Sequence, residues 1–523
     1  MKRRRLLAFL SVAATGGALA SSPMDPRDGS GDQQTPQTET STPPGSSGDS
    51  LSAGSPTPSP PATETPTRTA TPTRVRTHHG IEFDTVLEAV EDLGMDPTGQ
   101  DAVDSAVRDA MGDDTLIEFP PGTYRWTEEH DYLGHSNVGI RSTTGDPADV
   151  TFVFPEGFRG VFLAVREKST NVLLEGFEVA QTANKSTGAG IVVRATDGGE
   201  VHDIEFTGFS PRDKPSNQLY VTIESVDGVG NIDGVTIDGG GVVDTYPHRM
   251  TGIFGGTPHV GELRITNCDV RELGSSGIRY TGSPGAVKVE DCYFENIDNG
   301  ALRLHGNDHD GGKSSWVKRC EFVNDDSLLE HLPSDENYEN VDMIRVDDAG
   351  NGYHGLLIED CTFSYLSHPD GTYARGCISR PGWTDHGGFT VRGCTMRIDA
   401  DWPEAISASH SSDTVQNTVT VEDTHITGSL RKTSSGSVIH IADSDESVVS
   451  NCCISAPNAR GGVLIEDSAG CTVEYSDIDV NGQATVSINS SVSTTGITHD
   501  GVCRLPGDDR IPGSTLEATR RGR

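Results

Sequence analysis

The chain has 523 residues, of which 78 are acidic and 40 are Lys or Arg, giving a formal net charge of −38. That balance excludes a nucleic-acid partner held by neutralising phosphates. Ten cysteines without a CxxC pair exclude the usual cysteine zinc site.

Residues 1–20 carry a basic start, an apolar run from Leu6 to Leu19 and the small-residue site Ala18-Leu19-Ala20. This is the pattern of a cleaved export signal, and Arg3-Arg4-Arg5-Leu6-Leu7 fits its twin-arginine type. No later stretch has the roughly 20 apolar residues of a membrane-spanning helix, so the mature chain is expected to be secreted or held at the cell surface. Residues 21–79 are rich in Ser, Thr, Pro and Gly, a composition that cannot offset its own ordering entropy and reads as a disordered linker. Residues 80–505 form one domain, and 506–523 read as a disordered tail.

The domain opens on a turn, Asp96-Pro97-Thr98-Gly99, followed by an amphipathic segment over 101–111. Val103, Ala106, Val107, Ala110 and Met111 share one helical face, which predicts a helix lying over an apolar end. A strand then leads to Pro120-Pro121-Gly122-Thr123-Tyr124. From residue 265 a phrase recurs: ITNCDV, VEDCYF, VKRCEF, IEDCTF, VRGCTM, VEDTHI and VSNCCI. Its cysteine position is filled by Cys268, Cys292, Cys320, Cys361, Cys394, Thr424 and Cys452. Between phrases lie further β-rich runs and Gly, Asn, Asp and Ser turns, with no room for crossover helices. A unit this small cannot bury its own apolar face, so the units must stack. The expectation is an all-β fold, a right-handed parallel β-helix solenoid of about eleven coils between about 115 and 500, with an N-terminal capping helix.

The opening segment 95–126 and the repeated phrases resemble the right-handed β-helix proteins of the pectate-lyase-like superfamily. The acidity, with only eight Lys among the 40 basic residues, resembles secreted proteins of halophilic archaea. The resemblance implies the fold and a polysaccharide-related role. It does not transfer a reaction, because the polygalacturonase set is present only as Asp347-Asp348, and the epimerase D-P-H-E is matched only loosely by Tyr246-Pro247-His248-Arg249.

Stacked cysteines facing inward behave as small buried hydrophobes, so a ladder of free thiols is expected, with Ser a costly replacement. Asn267, Asp291, Asp360, Asp423 and Asn451, each just before the ladder position, read as turn residues. With Ile278, Leu302, Ile344, Ile378, Ile406 and Ile439 inward, alternation turns Arg279, Arg303, Arg345, Ser379, Ser407 and His440 outward in one column. A second outward column holds Thr281, His305, Asp347, Arg380 or its neighbour, and Ser409.

These columns suggest lyase or epimerase action on an acidic polysaccharide. The arginines would bind sugar carboxylates along a groove, one of them withdrawing charge from the uronate under attack, and His305 or a neighbour would remove the C5 proton, so that His305, Arg303, Arg345 and Asp347 form the candidate catalytic set. Arg279, Tyr280, Lys313 and His440 would bind neighbouring sugars. The alternative is a non-catalytic, glycan-binding or adhesive surface solenoid. No cofactor is required and no metal site is assigned. Asp308 with Asp310, or Asp325 with Asp326, offers the oxygen ligands that Ca²⁺ takes, although their spacing matches no calcium loop. The partner is an acidic polysaccharide or surface glycan, and the chain is expected to act as a monomer.

Overall fold

The computed structural model describes residues 76–499, apart from 183–187, 209–216, 239–249, 307–313, 330–341, 348–352, 369–374, 383–385, 410–416 and 431–432. The chain divides into units 1–70 and 71–523, and the described residues all belong to the second. The export signal and the tail lie outside them, as does the linker up to residue 75. Residues 76–79, read as the end of the linker, instead belong to an antiparallel hairpin, Arg76–His78 with Ile81–Phe83.

The rest is a parallel β-helix. Each coil contributes to three sheets, and each strand pairs in parallel with its counterparts one coil before and after. The first sheet runs from Thr85–Glu88 to Val492–Thr495. The second runs from Thr98–Ala102 to Asp477–Val480. The third runs from Asp131–Leu133 to Gln483–Ile488 and holds thirteen strands among the described residues, against about eleven coils expected. The early coils lack the repeated phrase: Arg159–Gln181 and Gly188–Gly208 are long continuous strands that pass through all three sheets.

One buried core runs along the solenoid. Ile278, Leu302, Ile344, Ile378, Ile406 and Ile439 all face it, fully buried. The last apolar position of the phrase forms an aromatic stack, Phe294 on Phe322 at 5.1 Å and Phe322 on Phe363 at 4.9 Å, with rings within 9° of parallel. Such pairs contribute about 0.5–1.5 kcal/mol beyond area burial.

The corner between the first and second sheets explains the cysteine column. The residue before the ladder position is left-handed: Asn267, Asp291, Asp360, Asp423 and Asn451 have φ between 52° and 55°. Asn and Asp tolerate this region best after Gly, and Asn267 also donates from Nδ2 to Asp233 of the preceding coil at 2.7 Å. The next residue turns inward. Its thiol donates to the carbonyl two residues back, as in Cys292 to Glu290 and Cys320 to Lys318, both 3.3 Å. Cys268, Cys292, Cys320, Cys361, Cys394 and Cys452 are all free and buried. Burial holds the Cys452 thiol near pKa 12, consistent with an inert packing role. Cys453 faces the other way around the corner and is disulfide-bonded, with its partner outside the described residues.

Hydroxyls occupy the same niche comfortably, which corrects the expectation that Ser is costly there. Thr424 donates to Glu422 O at 2.9 Å and Ser476 to Glu474 O at 2.8 Å, while Ser476 Oγ accepts from Cys452 N at 3.0 Å. The niche selects a small side chain that both accepts and donates. Cys292→Ser should therefore change stability by less than about 1 kcal/mol. Cys292→Ala, which strips the acceptor from the Cys268 N–H (3.4 Å), should cost about 1–3 kcal/mol. Denaturant midpoints distinguish the two, and an equal loss from both would show that sulfur packing alone matters.

The helix at the start is Asp104–Ala110, shorter than expected because Thr98–Ala102 is extended and pairs with Gly122–Arg125. Val103, Val107 and Met111 are buried in the core, and Ala106 and Ala110 pack partly buried against it. Around it the opening turns explain themselves. The Asp96 carboxylate accepts from Thr98 N, Gln100 N and Asp101 N. A Cβ on Gly122 would lie 2.8 Å from both Cβ and O of Pro97, so only glycine fits there. Tyr124 closes the corner by donating to Pro120 O at 2.7 Å.

Asp104 pins the helix to the following coil, accepting from Thr127 N at 3.0 Å and Glu128 N at 2.9 Å and meeting His130 Nε2 at 3.1 Å. Burial alone would raise its pKa, but the bonds from His130, Thr127 and Glu128 outweigh that and hold it at about 2. A carboxyl depressed from about 4 to about 2 contributes roughly 2 kcal/mol above pH 4, lost as pH falls through 2. Asp104→Asn should show that deficit at pH 7 and converge on the parent near pH 2. A gap independent of pH would refute the assignment.

Candidate functional site

The outer face of the third sheet carries the arginine column. Pairing sets Arg279 beside Arg303, Arg303 beside Arg345, Arg345 beside Ser379, Ser379 beside Ser407 and Ser407 beside His440. Neighbours in such a column stand about 4.8 Å apart, so three guanidiniums share a narrow strip.

Their surroundings differ. Arg303 is half-buried and directs Nε and Nη2 at Asp347 Oδ2, the Nε contact being 3.1 Å. Burial, and then the guanidiniums of Arg345 and Arg279, lower its pKa to about 10 against the opposing pull of Asp347. Arg345 is buried, with Nε on Asp342 at 2.7 Å and Nη2 on Asn299 at 3.2 Å. Arg279 makes no ion pair among the described residues. Its Nε reaches Thr281 Oγ1 at 3.4 Å and its guanidinium lies 5.9 Å from the Phe254 ring centre.

Other residues read as site members are placed differently. His305 is 3% exposed, its Nδ1 on Gly306 O and its ring against Tyr353 at 4.8 Å, so it is packed into the wall. Tyr280 is 1% exposed and donates to Val221 O at 2.7 Å, which makes it a core residue. Arg380 is fully buried and donates to Ser409 O (3.0 Å), Asn417 O (2.5 Å) and Ser444 Oγ, and burial lowers its pKa to about 9. It braces the turns of the following coils. His440 is half-buried and meets Glu466 at 3.2 Å. Lys313, Asp308, Asp310, Tyr246, His248 and Arg249 lie outside the described residues. Asp325 and Asp326 are engaged in a local turn, accepting from Ser327 and Ser367.

Two residues of this face were missed by sequence reasoning. The column continues upstream of Arg279 through Phe254 to Tyr220, in register. Both are half-buried, with ring centres 5.5 Å apart at 60°. Tyr220, Phe254 and Arg279 thus form a continuous strip: two aromatic surfaces and a cation that pairs with no carboxylate among the described residues. The phrase that sets the register begins only at Ile265, and nothing in the earlier coils showed which residues continue the column.

A single group of three metal-capable side chains occurs among the described residues, on a different sheet. His79, Glu200 and His202 bring their ligand atoms within 4.8 Å of one another on the outside of the first sheet. No helix among the described residues is long and apolar enough to cross a membrane.

No family model matches the chain, and neither does any curated protein. Solved structures do match, at low identity. The mannuronan C-5 epimerase A-module of Azotobacter vinelandii is 10% identical, with 79% of this chain and 100% of that one covered and a TM-score of 0.41. The catalytic unit of a thermostable α-1,3-glucanase from Streptomyces thermodiastaticus is 13% identical, with 79% and 68% covered and a TM-score of 0.39. A Streptococcus pneumoniae surface protein and adhesin is 12% identical, with 79% and 100% covered and a TM-score of 0.35. No residue role is carried over from them.

Proposed function

We propose that the outer face of the third sheet binds an acidic polysaccharide outside the cell. The observation that carries this is the Tyr220–Phe254–Arg279 strip. Aromatic rings offer flat apolar surfaces to sugar faces, and an arginine that pairs with no carboxylate among the described residues offers a bidentate fork to a uronate. In concentrated salt, where the screening length falls to about 3 Å near 1 M, only such short-range contacts retain specificity. A displayed glycan-binding solenoid meets all of these points.

A second reading, lyase or epimerase action on the same polymer, draws on Arg303. It stands in the column beside Arg345 and is paired with Asp347. Proton abstraction at C5 requires the neighbouring carboxylate to be neutralised, and Arg279 is the arginine able to do so. Ca²⁺ has no assigned part in either reading.

Both readings are tested by incubating the protein in molar salt with polyuronates and with neutral glucans. Polyuronate binding should weaken about 10-fold in Phe254→Ala, the upper range for one aromatic contact. Arg279→Lys should weaken it comparably, because an ammonium cannot reproduce the fork. Unsaturated products or altered uronate stereochemistry, abolished by Arg303→Lys, would establish turnover. Equal affinity for neutral and acidic polymers, or unchanged binding in both variants, would overturn the proposal.

A further inference from the structure

The 76–83 hairpin lies across the outside of the first sheet. Ile81 and Phe83 pack on Leu116 and Leu173, which stand in one outward column with Gly139 between them. A Cβ on Gly139 would come within 3.0 Å of Leu116 and 3.1 Å of Leu173, so the column is tightly closed there. The turn is His79-Gly80, both with positive φ (48° and 84°), the conformation of a tight hairpin. This geometry delivers the His79 ring onto His202, with centres 3.7 Å apart and planes within 13°.

His202 and Glu200 are alternate residues of Gly188–Gly208 and so share its outer face. Their side chains meet at 2.8 Å, Nε2 to Oε2. Asn231 on the next coil donates to the other oxygen, Oε1, at 2.8 Å, which fixes the carboxylate's orientation. Glu175 Oε1 lies 3.5 Å from His79 Nε2. The neighbourhood holds more negative than positive charge: Glu118, Glu175, Glu200, Asp203 and Asp233 against Arg76 and Arg141.

We propose that His79, Glu200 and His202 bind one divalent transition cation of the zinc class, and that the bound ion fastens the hairpin to the solenoid. Two imidazoles and one carboxylate form a nitrogen-rich set suited to zinc, whereas Ca²⁺ takes oxygen ligands almost exclusively. Bonds of about 2.0–2.1 Å place tetrahedral ligands about 3.3 Å apart. The present spread of up to 4.8 Å therefore closes by rotation of the exposed His79 side chain at the hairpin tip. Glu175 is within reach as a fourth ligand. The site is independent of the glycan-binding reading and lies on another sheet.

The test uses untagged full-length protein stripped of metal by chelation, titrated with Zn²⁺ alone and, as a spectroscopic probe, with Co²⁺ alone. One equivalent should bind, Co²⁺ should show the intense visible bands of a low-coordinate site, and Ca²⁺ should not compete. His79→Ala and His202→Ala should each weaken binding at least 100-fold. Asn231→Ala, which only releases Glu200, should weaken it about 10–100-fold. Hydrogen exchange in residues 76–83 should slow on adding Zn²⁺ to the parent and not to His202→Ala. Absence of stoichiometric binding, or binding indifferent to both histidine changes, would overturn the site. Bound metal with unchanged exchange in the hairpin would overturn the fastening.

Discussion

Register is the constraint on which the rest of this molecule depends. Each coil must sit directly on the last, and the first-to-second-sheet corner enforces this with two residues. A left-handed residue reverses the chain, and a small side chain behind it answers both its own carbonyl and the preceding coil's amide, as Ser476 does for Glu474 O and Cys452 N. The same device recurs at another corner, where Ser444 N donates to Ser468 Oγ at 2.9 Å and Ser468 N to Ser490 Oγ at 3.0 Å. At these positions the buried amide and the small side chain satisfy each other, as buried polar groups generally must. Once the corners stack, every other column stacks, inward ladders and outward functional rows alike.

This explains what could be read from the sequence. The Cys column fixes spacing, and alternation then gives the direction of Ile278, Arg279, Leu302, Arg303, Ile344 and Arg345 without any structure. Direction is not exposure, however. Arg345 and His305 leave the barrel wall as expected yet are covered, because what covers an outward residue comes from other coils and loops that follow no period. Tyr280 lies between two outward residues, and alternation alone turns it inward. Tyr220 and Phe254 went unseen because the coils before Ile265 lack the phrase. The His79–Glu200–His202 group joins segments distant in the chain through a hairpin whose first strand was read as linker, and no local pattern marks it.

The electrostatics divide along the same lines. Exposed pairs such as Arg319 with Glu290 and Asp291 are bidentate yet solvated, and pairs of this kind contribute about 0–1 kcal/mol. Buried groups are more constrained. Arg380 donates to the backbone of Ser409 and Asn417 and to Ser444, and Arg345 is clamped between Asp342 and Asn299. A strongly acidic surface can vary freely while these few interior charges cannot, since each would be stranded in low dielectric if its partners were lost.

The two ends of the solenoid are finished in different ways. The first coils are closed by the Asp104–Ala110 helix and its buried carboxylate, whereas Gln483–Ile488 and Val492–Thr495 end the sheets with largely exposed Ser- and Thr-rich strands. In a quasi-one-dimensional stack each coil is supported only by its neighbours. Opening from the polar end proceeds coil by coil only as far as the coil of Cys453, whose disulfide holds it, while the helix-closed end, where the hairpin also docks, is fastened by packing and hydrogen bonds. Proteolysis or mechanical load applied along the axis would therefore meet two different kinds of resistance, a covalent tie toward one end and a non-covalent closure at the other.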